Sequence, residues 1–132
     1  MPLYDKGRQK FAEGAIPWLS ATIKAIIIDV DDYVVNLATH EWLSDIPAAA
    51  RISTSAALSA KTTTNGICGC GNITFASVSG DPSEAMVVFM DTGTPATSPL
   101  IQYTTAATGL PVYPSGGNVV VVVPPTTGLF KL

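Results

Sequence analysis

Residues 22–30 are apolar at most positions, so that both sides of an extended chain are apolar. Only Lys24 and Asp29 interrupt the pattern. A strand with two apolar sides is typical of a position inside a sheet that has other structure packed on both faces. We therefore predict a buried strand here, whose two sides are formed by Ile23, Ala25 and Ile27, and by Ile26, Ile28 and Val30.

Further short strands are predicted after Arg51, where turn residues recur about every ten positions. Ala85–Met90 and Leu100–Thr105 are the clearest, and the loop Asp91–Ser98 should join them as a hairpin. Weaker patterns run over residues 52–58, 73–78, 118–123 and 129–132, and Asn65-Gly66 marks a tight turn. No helical pattern alternates with these strands, which favours a β-sandwich or jelly roll over a parallel α/β sheet.

Residues 1–20 are predicted to form an N-terminal arm or a short helix. Leu3 and Phe11 can share one face of that helix, and Gly14 is a stop signal. Gly7 lowers the helix propensity by about 1 kcal/mol relative to alanine. One helical turn is also predicted over Ala38–Leu43. Residues 1–132 should thus form a mainly β single domain with a short N-terminal helical segment.

Charge is unevenly distributed along the chain. Only 13% of the residues are charged, against about a quarter in an average soluble protein. The net charge of −3 argues against nucleic-acid binding. There is no apolar run long enough for a membrane span and no signal-peptide core, so we expect synthesis in the cytosol and no membrane partner. The charged side chains after Arg51 are Lys61, Asp81, Glu84, Asp91 and Lys131.

The sequence Asp29-Val30-Asp31 at the end of the predicted strand resembles the first motif of haloacid-dehalogenase-type phosphotransferases. In that family the first aspartate is the nucleophile and the second is a general acid, with Mg²⁺ beside them. The family also requires a later hydroxyl residue, a lysine and an acidic pair on an α/β scaffold. The later part of this chain has one internal lysine, no acidic pair and a β pattern. We therefore favour a solvated acidic turn, with an irregular Ca²⁺ site at Asp29 and Asp31 as the alternative.

Cys68 and Cys70 are the only cysteines. On a strand they would lie on one face, with Cα atoms ~6.5 Å apart, near the upper limit for a disulfide. Zinc usually takes four ligands, and His40 is the only histidine, so a zinc site within one chain would also need a carboxylate. We expect two reduced cysteines, with a metal shared between chains as the alternative. No catalytic, cofactor-binding or metal-binding residue is predicted, and no cofactor.

Three further features of the sequence are interpreted as purely structural, and for two of them a contact with another chain is the alternative interpretation. The basic residues within Lys6–Lys10 are interpreted as a solvated helix face or, alternatively, as a contact with an acidic neighbouring subunit. Val119–Val123 is interpreted as a central core strand that ends at Pro124, or as a strand completed by a partner chain. His40, beside Trp42, is interpreted as a packed or surface residue.

Four segments of the chain resemble a group of small virion structural proteins of tailed bacteriophages. The similarity lies in the sequence pattern rather than in a chemical motif, and the two cysteines lie outside it. The segments are Tyr4–Phe11, Ile23–Pro47, Ser83–Tyr103 and Leu129–Leu132.

The resemblance implies a non-enzymatic particle component on the capsid surface of the virion, a capsid decoration (cement) protein. Its expected partners are the major capsid protein and its own copies, as a homo-dimer or homo-trimer. A tail or head–tail joining (neck) protein is the main alternative, and an Asp-dependent phosphotransferase is a distant one. The charge-poor residues 52–132 should carry most of the contact with other subunits, because interface cores are depleted in charge.

Overall fold

The computed structural model describes residues 2–132 as a mainly β structure in which one α-helix, α1 (Asp5–Ala12), precedes the strands. No helix in residues 2–132 combines the length and the apolar character that crossing a membrane would require. The strands are β1 (Ile23–Ile28), β2 (Arg51–Thr54), β3 (Ile67–Cys68), β4 (Ile73–Phe75), β5 (Ala85–Met90), β6 (Leu100–Thr104), β7 (Val119–Val121) and β8 (Phe130–Lys131).

Four strands form an antiparallel central sheet in the order β2-β1-β5-β6. Strand β1 therefore lies inside the sheet. Ala25 and Ile27 enter a hydrophobic cluster on one face, whereas Ile26 and Ile28 enter a second cluster on the opposite face. The prediction of a strand buried on both faces is confirmed, and so is the hairpin of β5 and β6.

Two short antiparallel sheets, β3–β8 and β4–β7, pack over the first face of the central sheet. Phe75, Val121 and Phe130 from these sheets are buried between the layers. The ring of Trp18 joins them, edge-on to Phe130 at a centroid distance of 5.4 Å. The prediction of a mainly β, sandwich-like domain is confirmed, and its second layer is divided into two short sheets.

Residues 30–50 cover the second face of the central sheet. Tyr33, Leu43 and Ile46 from this segment are buried against Phe89 of β5. The central sheet consequently separates two hydrophobic cores, one on each of its faces.

The helical turn predicted over Ala38–Leu43 is displaced in the structure. A hydrogen-bonded turn covers residues 37–39, and a 3-10 helix covers Leu43–Asp45. The carboxylate of Asp45 accepts hydrogen bonds from the N–H groups of Glu41 at 2.8 Å and Trp42 at 2.9 Å. Because this capping satisfies N–H groups that the start of a helix leaves without partners, it fixes the helical turn after Trp42 rather than before it.

The N-terminal residues extend the central sheet before the chain turns into α1. The N–H of Tyr4 donates to the carbonyl of Ile101 at 3.0 Å, and the N–H of Tyr103 donates to the carbonyl of Pro2 at 3.0 Å. The outer edge of β6 is thus paired, which removes one exposed strand edge. The predicted N-terminal helix is confirmed within residues 1–20.

Gly7 lies at the closest contact between α1 and the central sheet. A Cβ atom at this position would lie 2.6 Å from the carbonyl oxygen of Leu100 and 3.2 Å from the Cα of Ile101. The residue that weakens the isolated helix therefore allows the helix to lie directly against β6.

The valine run Val119–Val123 is not a central core strand, so that interpretation is wrong. Strand β7 belongs to a two-stranded sheet, and only alternate valines are buried. Val121 and Val123 point into the core, whereas Val120 and Val122 are 46% and 44% exposed. The β4–β7 sheet packs against the core with one face and leaves the other uncovered, which gives this alternation even in a run of identical residues.

Candidate functional site

The acidic residues after β1 form a compact group at one edge of the central sheet. Carboxylate oxygens of Asp29, Asp32 and Asp81 all lie within 4.8 Å of one another, and we call these residues the aspartate trio. Asp29 is 5% exposed and its Oδ1 accepts a hydrogen bond from the N–H of Asp31 at 3.0 Å. The carboxylate of Asp31, which the sequence interpretation of a Ca²⁺ site combined with Asp29, is not a member of this trio.

Asp81 is the member of the trio that the sequence interpretation missed. Ile28 pairs with Ala85 in the register of β1 with β5, so the turn before β5 lies beside the acidic end of β1. The only local signal is the sequence Gly80-Asp81-Pro82, which marks a turn but not its neighbours. Only the strand register brings Asp81 to Asp29.

The aspartate trio offers oxygen ligands of the kind that Ca²⁺ and Mg²⁺ prefer. No lysine or arginine in residues 2–132 forms an ion pair with the trio, since the three ion pairs found there all lie elsewhere. Lys24 pairs with Asp91 at 2.7 Å, and the Nζ of Lys61 donates to the carbonyl of Ala21.

The close approach of three carboxylates has an electrostatic cost. Partial loss of hydration and the neighbouring charges of Asp29 and Asp81 raise the pKa of Asp32 above its ordinary value of 3.8. A raised pKa means that the folded state holds this proton more tightly than the unfolded state does. Ionised Asp32 therefore opposes folding at neutral pH, and this opposition disappears as the pH falls through the raised pKa.

We expect Asp32→Asn to raise the melting temperature at pH 7, because the substitution removes a repelling charge while keeping the side-chain shape. The gain should shrink progressively when the pH is lowered to 3.8 and below, where the wild-type carboxyl is itself protonated. Asp31→Asn is the comparison variant: the charge of Asp31 also raises the pKa of Asp32, but less than the charges of Asp29 and Asp81 do, so its effect should be smaller. Thermal melts of both variants across this pH range test the expectation, which fails if the gain does not depend on pH.

The two cysteines are free thiols within the second layer. Cys68 is buried on β3, and Cys70 is half-buried beside the same core. Burial raises the pKa of both thiols, to about 11 for Cys70, where the charge of Lys61 acts in the opposite direction. Thiols with raised pKa values are poor nucleophiles and poor metal ligands. Within residues 2–132, the aspartate trio is the sole grouping of three or more potential metal ligands, so no such grouping contains Cys68 or Cys70.

His40 belongs to a hydrogen-bonded chain with two tyrosines. The hydroxyl oxygens of Tyr4 and Tyr33 are 2.9 Å apart, and the Tyr33 hydroxyl lies 2.7 Å from Nδ1 of His40. The N–H of Asn36 also donates to this Nδ1, at 3.2 Å. Because a backbone N–H can only donate, Nδ1 is an acceptor, and the direction follows as Tyr4 to Tyr33 to His40. His40 is thus a packed residue that holds the loop over the second core.

Burial raises the pKa of both tyrosines, to about 12 for Tyr33, so both hydroxyls stay protonated at neutral pH. We expect Tyr33→Phe to lower the free energy of unfolding by about 1–3 kcal/mol, because it leaves the buried hydroxyl of Tyr4 without a partner. Tyr4→Phe should cost less, since Tyr33 keeps its bond to His40. The double variant should cost less than the sum of the two single variants. Urea denaturation of all three variants measures this, and equal, additive costs would contradict the hydrogen-bonded chain.

The basic residues of α1 are not equivalent in the structure. Lys10 forms an ion pair with Glu41 at 2.7 Å and lies 4.6 Å from the ring centre of Trp42. Arg8 lies 3.7 Å from Asp5, with both side chains more than half exposed. The interpretation of a uniformly solvated basic face therefore holds for Arg8 and not for Lys10.

Arg8 borders an apolar groove of about 600 Å³ between α1 and the end of the chain. Three apolar side chains from the N-terminal part and one from the C-terminal end line it, together with two basic side chains. The lining residues are Leu3, Phe11, Ala12, Leu132, Arg8 and Lys131.

No protein-family model matches the chain, and no curated protein matches its sequence.

Proposed function

We propose that this chain is a structural protein of a bacteriophage virion that decorates the capsid shell and stabilises it. The observation that carries the proposal is the charge-poor outer surface of residues 52–132, which exposes apolar and hydroxyl side chains. Covering such a surface with another protein costs little desolvation free energy, because few charged groups lose their hydration. The resemblance of four segments to virion proteins of tailed phages supports the same proposal.

The outer face of β4–β7 is the surface that we propose for the contact with the major capsid protein. Val120 and Val122 both point outward there, and the exposed Thr74 lies opposite Val120 in the strand pairing. This face carries no charged side chain on either strand. Uncharged side chains at strand spacing present a flat surface that a second protein can cover without leaving a buried charge unpaired.

Decoration of a symmetric shell does not require a strong individual contact. Many copies bind at equivalent positions, and contacts between neighbouring copies raise the effective concentration of each. The proposal includes that the protein is not an enzyme. In support of this, the acidic group closest to a catalytic motif, the aspartate trio, has no lysine or arginine ion-paired with it in residues 2–132.

The experiment is to mix the purified chain with capsid shells of the phage that encodes it, after removal of the endogenous copies. Binding should saturate in proportion to the major capsid protein, and electron microscopy should place the chain over the whole shell. A Val120→Lys/Val122→Lys variant should bind about tenfold more weakly or worse, since two apolar contacts would be replaced by charges. Leu19→Lys is the matched control, because Leu19 is 59% exposed in the N-terminal part of the chain.

Two outcomes would decide against capsid decoration. Density confined to a ring on the tail axis would instead support the tail or neck alternative. Absence of the chain from the particle would overturn a virion role altogether.

A further inference from the structure

The apolar groove beside α1 combines an apolar lining with two available positive charges. The ion pair of Arg8 with Asp5 is long, at 3.7 Å, and both side chains are more than half exposed, so it is weak in water. Lys131 is exposed and forms no ion pair with any other residue of the range 2–132. By contrast, Lys10 and Lys24 each have a carboxylate at 2.7 Å. The groove therefore suits an apolar side chain that is accompanied by negative charge.

The same chain exposes a segment with this chemistry. Residues 31–34, which we call the acidic turn, contain the exposed carboxylates of Asp31 and Asp32 and end at Val34. The side chain of Val34 is 87% exposed, more than any other large apolar side chain in residues 2–132. Tyr33 is buried between them and hydrogen-bonded to Tyr4, which holds the turn in one conformation. A turn held in this way loses little conformational entropy when it binds.

The acidic turn and the apolar groove of one molecule are anchored in different hydrophobic cores. Tyr33, within the turn, packs in the core under residues 30–50, whereas Leu3 and Phe11 of the groove belong to the core on the opposite face. None of the residues of the turn lines the groove of its own molecule, so the turn is available to enter the groove of another.

We propose that the acidic turn of one copy docks into the apolar groove of a second copy. Val34 enters the groove, and Asp31 and Asp32 lie beside Arg8 and Lys131. The contact is head-to-tail, because each copy uses two different surfaces, so it builds a closed ring if the rotation closes and an open chain if it does not. This inference rests on the proposed function in that it names the contact between the copies that decorate a shell.

A charge exchange tests the docking directly. In an Arg8→Glu/Lys131→Glu variant the groove and the turn are both acidic, and in an Asp31→Lys/Asp32→Lys variant both are basic. Each variant alone should remain monomeric in sedimentation velocity experiments at concentrations where the wild-type chain associates. A mixture of the two should associate again, because every contact then joins opposite charges. Wild-type association should weaken as NaCl rises, since salt screens exposed charges.

The apolar part of the contact has its own matched pair of variants. Val34→Ser should raise the dissociation constant about tenfold, because it removes a buried apolar side chain from the contact. Leu19→Ser makes a comparable change at another exposed aliphatic side chain, outside the turn, the groove and the proposed shell-binding face, and it should leave the dissociation constant unchanged. Circular dichroism confirms that each variant is folded.

Several results would overturn the inference: a wild-type chain that stays monomeric at high protein concentration, charge variants that associate as the wild type does, or a mixture that fails to associate. The proposed function is tested separately by binding to shells. If both charge variants still decorate shells as the wild type does, the docking contact is not the one used there, while capsid decoration stands. If the wild-type chain associates through this contact but binds no shell, the docking stands and capsid decoration falls.

Discussion

Phe130→Ala is expected to lower the free energy of unfolding by about 3–5 kcal/mol. Phe130 is fully buried on β8, and its ring contacts Phe11 and Trp18 edge-on at centroid distances of 5.9 and 5.4 Å. Its removal leaves a cavity between α1, the loop that carries Trp18, and the sheet β3–β8. Because total stability is typically about 5–15 kcal/mol, this loss is a large fraction of what holds the domain folded.

Urea denaturation followed by circular dichroism measures the effect of Phe130→Ala. Leu132→Ala is the control on the same segment, because Leu132 is 58% exposed and should cost at most about 0.5 kcal/mol. Equal denaturation midpoints for the two variants would show that Phe130 does not join these elements in the way the structure describes.

Gly7→Ala is also expected to lower the stability of the domain, although helix propensity alone predicts an increase. Alanine would improve the propensity of α1 by about 1 kcal/mol. Its Cβ, however, would lie 2.6 Å from the carbonyl oxygen of Leu100, and both backbones would have to separate. Such overpacking usually costs about 1–3 kcal/mol. Because the atoms met belong to the backbone, which cannot rotate away as a side chain can, we expect a cost near the upper end of this range and therefore a net loss of stability.

Gly117→Ala is the matched control for Gly7→Ala. A Cβ at position 117 would meet only the Oγ of Ser115, at 4.0 Å, so the substitution should be neutral or slightly stabilising. Thermal melts of both variants give the comparison. A higher melting temperature for Gly7→Ala would mean that α1 does not lie directly on β6.

The sequence predicted β1, β5 and β6 well because their apolar patterns are set by burial on both faces. It could not predict the state of Val119–Val123, since five identical side chains carry no information about which of them faces solvent. That distinction depends on which face of the β4–β7 sheet packs against the core. The fold class thus follows from local patterns, whereas the exposure of these valines follows from how one sheet packs on the other.

In the candidate sites, too, the sequence predicts the local features but not the contacts between residues that are distant along the chain. The acidic end of β1 is evident in the sequence, but the approach of Asp81 depends on the register of β1 with β5. The contact between Tyr4 and Tyr33 joins residues 29 positions apart and has no local signal. The turn around Trp42 was displaced because one side chain, Asp45, caps it. Such features depend on three-dimensional neighbours, so a pattern along the chain does not contain them.

The two cores on either side of the central sheet give the protein a pair of built-in fluorescent reporters. Trp18 is buried in the first core, and Trp42 lies half-buried below Lys10 in the segment that covers the second. Replacing either one with phenylalanine leaves the emission of the other to follow its own layer during denaturation. Coincident transitions would show that the sheet couples the two layers into one cooperative unit, and separate transitions would show which layer opens first.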